Sequence, residues 1–360
     1  TLQRSTKIYS GQDVTIAISF DKGYVTITPK VAVGTPKWLE SLLSFLYFAW
    51  FVFPPLVIII IFFLFGRDPK TGITSIPVLF EPPKDDKRRL TPAEVGTIED
   101  EEVDSKDISA TIVDLAIRGH LKINETDEKI VLEKSNLHLS KDTNKLQPFE
   151  QKILDILFKN RDSIGVKNLS ESDKADLAKV KDDIYKAVVT NGFFPHNPDT
   201  IRTVWVLIGV AGMFTFAVVT GIVAFIMAHA MPRKTLKGAR IKIDILGLRK
   251  FMTSQTEQLK FQELNWFLFE KLLPYAVAFG ITKTWAKRFE SLHDLPTYDW
   301  YTNKSFTNLM VLNAMTSSLS TSVSRAITPT STRSGGGFSS GFSGGHSGGG
   351  FSGGGGGGSW

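Results

Sequence analysis

The chain has no cysteine, which excludes disulfides, thiolate zinc sites and a thiol nucleophile. Its histidines, His120, His138, His196, His229, His293 and His346, are scattered, and no two stand at the spacing of an HExxH metal site. GxxxxGK[ST] does not occur, and GxSxG occurs only inside the glycine-rich tail, as in GFSSG (337–341), where the flanking residues read as neither the strand nor the helix of a nucleophile elbow. No catalytic residue, cofactor or metal is expected, and the chain reads as a non-enzyme. An initiator Met and the basic start and apolar run of a signal peptide are also missing. Instead Val14, Ile16 and Ile18 alternate with Thr15, Ala17 and Ser19, the period of a strand. The chain therefore reads as the C-terminal part of a longer protein, opening on the end of a domain.

Long apolar runs are present. Residues 38–66 are apolar almost throughout, past the roughly 18–20 residues that a bilayer requires. Pro54-Pro55 is expected to kink this helix, and Trp38 suits the interfacial belt. A second uncharged stretch, 204–229, carries Gly209, Gly212 and Gly221. Arg67, Lys70, Lys84, Lys87, Arg88 and Arg89 follow the first run, whereas only Lys30 and Lys37 precede it. That bias places the start outside and residues 67–200 in the cytoplasm. Arg233, Lys234, Lys237, Arg240 and Lys242 follow the second run and ask for the cytoplasm too. One straight helix cannot satisfy both flanks, so the second run is either a single span that breaks the rule or a re-entrant hairpin bent near its glycines. Trp38, Arg67, Arg233 and Lys234 are the expected membrane-interface residues.

Between the runs, 67–90 reads as a proline- and charge-rich linker. Thr91-Pro92-Ala93-Glu94 has the residues of a capping box with Pro at N1. Ser105 or Asp107 is the expected cap of a second helix, which Gly119 stops. Leu121 and Ile123, then Ile130 and Leu132, mark a hairpin. Helix, helix, hairpin is a winged-helix order, and 91–200 reads as a winged-helix-like domain. Nucleic acid is not an expected partner: from Asp85 to Lys134 fourteen acidic residues face eight basic ones, and a groove reader presents a basic face.

Residues 231–300 read as amphipathic helices, with Pro274 starting a new turn, lying either on the membrane surface or on the cytoplasmic domain. Residues 301–334 are rich in Ser and Thr and read as a linker. The last 26 residues, 335–360, hold fifteen glycines. Ordering them costs too much backbone entropy for the surface they could bury, so a disordered tail is expected. Its Phe338, Phe342, Phe351 and Trp360 are the candidate interaction residues, able to make weak multivalent contacts with a protein partner or a second copy.

AEVG (93–96), DISATIVDLAIRGHLKI (107–123), FEQKILDILF (149–158), LGLRKF (246–251), FEKLLPYAVAFGITKTWAKRF (269–289) and the closing GGGGGGSW together resemble domain-of-unknown-function family 2207. The resemblance implies a bacterial cell-membrane protein in which an extracytoplasmic β-rich domain, here ending in 1–33, comes first. It implies no activity and supplies no catalytic residues. The expected class is thus an α+β membrane protein of the cell envelope: β-domain end, transmembrane helices, winged-helix-like α/β domain, amphipathic helices and Gly-rich tail. The expected role is a non-catalytic, bilayer-anchored interaction or scaffold protein. A membrane-tethered regulator that binds nucleic acid, or an uncharacterised membrane enzyme or transporter, is the alternative. In a detergent-free lysate the intact chain is expected to sediment with membranes at high speed; recovery in the supernatant would remove the spans.

Overall fold

The structure, a computed structural model, describes residues 35–126, 129–135, 145–215, 217–254, 266–289, 298–303 and 309–328. The expected strand near Val14 and the tail with Phe338, Phe342, Phe351 and Trp360 lie outside the described residues. The fold is α+β and mostly helical.

Helix α1 runs from Lys37 to Ile61, unbroken through Pro54 and Pro55, and continues as a π-helical turn over Phe62–Gly66. This 30-residue element is the one described helix long and apolar enough to cross a membrane. The stretch 67–90, expected as a linker, is not free of the body. Val78, Leu79 and Phe80 pack on the core, and the Phe80 and Phe251 rings meet edge-on at 4.8 Å. Two short strands, β1 (Lys84–Asp85) and β2 (Arg88–Arg89), pair antiparallel before the body begins.

Helix α2 (Pro92–Asp100) starts on the reciprocal capping box of Thr91 and Glu94. Helix α3 (Ser105–Ile117) is capped by Asp104, with Asp107 at N3; the cap falls one residue before the expected Ser105. Gly119, at φ 84°, turns the chain into β3 (Leu121–Thr126), which pairs with β4 (Lys129–Lys134) in register Ile123↔Leu132. Leu121, Ile123, Ile130 and Leu132 face the core, as their alternation requires. Helix α4 (Pro148–Phe158), strand β5 (Ser163–Gly165) and helix α5 (Glu171–Thr190) follow.

The second apolar run is two helices. Helix α6 spans Pro198–Phe214 and α7 spans Val218–Ala230, joined at Thr215–Ala217. Glycines let them close: a Cβ on Gly212 would stand 3.0 Å from Gly221 N, and one on Gly221 2.9 Å from Gly209 O. Ile58 of α1, Ala224 of α7 and Met231 form a small apolar cluster beside Trp205.

Helices α8 (Leu236–Thr253), α9 (Trp266–Ala278) and α10 (Thr282–Lys287) join the body. Helix α9 continues through Pro274 rather than restarting there. An internal proline costs a helix about 3 kcal/mol, and burial of Leu272, Leu273, Tyr275 and Ala276 offsets it. Strand β6 (Tyr301–Asn303) completes a sheet of order β5-β4-β3-β6, parallel to β3. Helix α11 (Leu309–Ile327) occupies most of the expected linker. Its Met315, Leu319, Val323 and Ala326 are buried at helical spacing beneath the Ser/Thr surface. One contiguous core therefore holds Leu90 through Phe194 and Ile241 through Ala326 together.

Helix α3 is the centre. Every residue from Asp107 to Ala116 is buried, under α2, α9 and α11. Leu319→Ala is expected to destabilise the detergent-solubilised chain by about 2–4 kcal/mol, whereas exposed Ser318→Ala shifts it by less than about 0.5; chemical denaturation measures both.

Candidate functional site

Among the described residues no group of three or more His, Asp or Glu is placed to hold a metal ion. Charge is concentrated in two places, one inside the body and one where the apolar helices leave it.

The interior network links four helices. Arg88 grips Glu94 with two bonds, Nη1–Oε2 at 2.7 Å and Nη2–Oε1 at 2.9 Å, and Asn191 Nδ2 adds a third at 2.8 Å. Arg89 donates to both oxygens of Asp114, at 2.9 and 3.0 Å. Arg118 bridges Asp114, at 3.3 Å, and Glu150, at 2.8 Å. The Tyr275 hydroxyl donates to Leu90 O at 2.6 Å while Arg89 lies over its ring. Burial pushes the Glu150 carboxyl up to about 7, against the pull of Arg118. Asp107 is raised well above its ordinary value, burial first and then Asp104 and Asp100. Composition hid this network. The signal was periodic: Asp107, Asp114 and Arg118 recur along one helix among residues that the apolar pattern places inside.

The second concentration is a junction of four segments: the exit of α1, the end of α2, the start of α6 and the chain after α7. Lys234 follows α7 and is fully buried; its ammonium pairs with Glu101 and sits 5.3 Å from the centre of the Phe194 ring. Its backbone N–H donates to Asp68 Oδ1 at 2.7 Å. Lys234, expected at the membrane interface, is thus not an exposed cation there: a carboxylate draws its side chain inward. Burial pushes its ammonium below the ordinary lysine value, and Glu101 opposes that shift. Glu101 ends α2 at φ 68°, a left-handed conformation costing roughly 1 kcal/mol or more outside glycine. Lys242 approaches Glu101 at 3.8 Å, and Arg202 of α6 reaches Glu101 O at 3.3 Å and Glu102 at 3.4 Å. Thr235 closes the hairpin base, its hydroxyl donating to Gly192 O at 2.6 Å and its N–H to Phe193 O at 3.0 Å. Trp38, Arg67 and Arg233 are exposed, with the Arg67 guanidinium 5.5 Å from the Phe63 ring centre. Arg67 and Arg233 flank the junction, whereas Trp38 lies at the far end of α1. Sequence reasoning missed Asp68 and Arg202, and the pairing of Glu101 with Lys234 and Lys242, which needs segments far apart in the chain.

The family model described as "Predicted membrane protein (DUF2207) C-terminal domain" matches residues 78–289, more than half of the chain. The chain belongs to this family. No curated protein and no solved structure matches it. The DUF2207 match covers both charge concentrations except Asp68 and Arg67, which lie just before it. Within the DUF2207 region, then, sit both the interior network and most of the junction.

The interior network has a pH signature. A carboxyl raised from 4.5 to about 7 keeps its proton in the folded chain while the unfolded chain loses it. Stability therefore falls as pH rises through that window, on the order of 3 kcal/mol for such a shift, and levels off above it. Glu150→Gln is expected to flatten this fall, read as the wild-type-minus-variant difference in denaturation free energy between pH 5 and pH 8.

Proposed function

We propose that this protein is a membrane-anchored, non-catalytic scaffold of the bacterial cell envelope, with its body held against the cytoplasmic face of the membrane. The observation that carries the reading is the shared core. Chain before the α6–α7 hairpin and chain after it pack into one body, so both ends of the hairpin leave from the same side. Lengths support the same layout. The 30 residues of α1 and its π turn rise about 45 Å, enough for a hydrocarbon layer of roughly 30 Å. The 17 residues of α6 and 13 of α7 rise about 25 and 20 Å, and the first turns of α6 are polar. The hairpin thus fits a re-entrant element that dips in beside α1 and returns. This reconciles the two basic flanks that one straight span could not.

A scaffold role is supported by how the charges are used: Glu94, Asp114 and Glu150 are each engaged by arginine. The winged-helix-like order of α2, α3 and the β3–β4 hairpin does not favour nucleic acid, because α3, the helix that would enter a groove, is buried over Asp107–Ala116. Phe338, Phe342, Phe351 and Trp360 remain the proposed contacts to protein partners or to a second copy. The natural lack of cysteine makes topology directly testable. In intact spheroplasts an impermeant maleimide is expected to label Thr35→Cys. Ser75→Cys and Thr284→Cys should both label only after lysis, and Thr215→Cys, at the hairpin tip, only in detergent. Labelling of Thr284→Cys without Ser75→Cys in intact cells would break the one-sided layout; labelling of Thr215→Cys together with Thr35→Cys would replace re-entry by two full crossings.

A further inference from the structure

We propose that the exits of α1 and α7 together form a binding site for the phosphate of an anionic phospholipid headgroup, held by Arg67 and Arg233. This rests on the reading that both exits lie at one membrane surface. Chain adjacency brings the two arginines to the same place. A Cβ on Gly66 would stand 3.0 Å from Met231 Sδ, and Asp68 accepts the Lys234 N–H at 2.7 Å. Arg67 lies between Gly66 and Asp68 on one segment, and Arg233 between Met231 and Lys234 on the other.

The charges of the junction leave these two cations over. Five cations, Arg67, Arg202, Arg233, Lys234 and Lys242, meet three carboxylates, Asp68, Glu101 and Glu102. Lys234 takes Asp68 and Glu101, Lys242 shares Glu101, and Arg202 takes Glu102. Lys237, nearby in sequence, is committed to Asp85 at 2.8 Å and to Asn191 O. Among the described residues neither Arg67 nor Arg233 has a carboxylate partner, and both side chains are exposed. The buried ammonium of Lys234 sits behind them, so the Asp68 charge that could otherwise have repelled an anion is already offset.

The backbone supplies an independent sign of a site. The α-helix widens into a π turn over Phe62–Gly66, a distortion that gathers at functional positions. The turn seats the Phe62 ring on Gly66, where a Cβ would come within 2.7 Å of Cδ2. It then delivers Arg67 in an extended conformation, φ −85° and ψ 138°. With its guanidinium over Phe63, Arg67 keeps its in-plane N–H donors for a phosphate. Two guanidinium groups at a membrane surface select a phosphodiester headgroup with net negative charge over a zwitterionic one, whose own cation repels them.

The test uses the full chain in neutral detergent, with its unfolding temperature followed as phosphatidylglycerol, phosphatidylcholine or inorganic phosphate alone is added. Phosphatidylglycerol is expected to raise the temperature by several degrees and the other two to leave it in place. Arg67→Gln with Arg233→Gln should abolish the rise, while Arg240→Gln, an exposed cation on α8, should retain it. An equal rise with phosphatidylcholine overturns the proposal, as does a rise that survives the double variant. A rise with inorganic phosphate alone also overturns the lipid assignment. Should the double variant fail to fold, the wild-type response in about 0.5 M salt decides. Screening at that strength should shrink the rise, and an unchanged rise overturns the proposal. None of these outcomes alters the maleimide pattern, so failure here is separable from failure of the one-sided layout.

Discussion

One hydrophobic core, closed by chain from both sides of the α6–α7 hairpin, is the constraint on which the rest depends. Phe193 and Phe194 come from before the hairpin, Ile245, Leu248 and Phe251 from after it, and they share one interior. Thr235, bonded to Gly192 and Phe193, ties the two segments at the base. The hairpin therefore projects from the body as a closed loop. Its glycine-lined interface lets two short helices pack at near backbone contact.

Electrostatics follows from that closure. A core assembled from distant segments encloses the polar starts of several helices, and the enclosed carboxylates need cations. Capping boxes place Glu94 and Glu150 at N3 of their helices, and Arg88 and Arg118 meet them there. Buried ion pairs of this kind add little net stability, since desolvation consumes most of the attraction, but losing one partner is costly. The junction repeats the arrangement at the body's edge, where Glu101 holds Lys234 and Asp68 takes the backbone beside it.

Local signals were the legible part of the fold. The Thr91 cap, the Gly119 stop and the β3–β4 alternation depend on neighbours within a few residues, and the structure contains each. Long-range facts were hidden. In α11 the buried apolar residues recur every three or four positions, yet Ser and Thr between them made the stretch look like linker. Pro274 signalled a helix start because a proline by itself ends a helix, and here burial of its neighbours in the core carries α9 through it. Lys234 was placed at the membrane interface because flanking charge is a rule about sequence neighbours; its burial against Glu101, 133 positions away, was not visible from them. At the site, Arg67 and Arg233 were legible as cations beside apolar runs; that their segments meet, through Gly66 and Met231 and through Asp68 and Lys234, was not.

The central position of α3 also sets an order of assembly. Its covers, α9 and α11, are made long after it, and the hairpin is made between them. During synthesis α3 must wait, with apolar surface open on two sides, until the ribosome has passed the hairpin. The α6–α7 hairpin is consequently made before the body can shut, and α11, the last described helix to emerge, acts as the latch. A ribosome stalled shortly before residue 309 would hold a nascent chain whose middle is in place and whose centre still lies bare to chaperones.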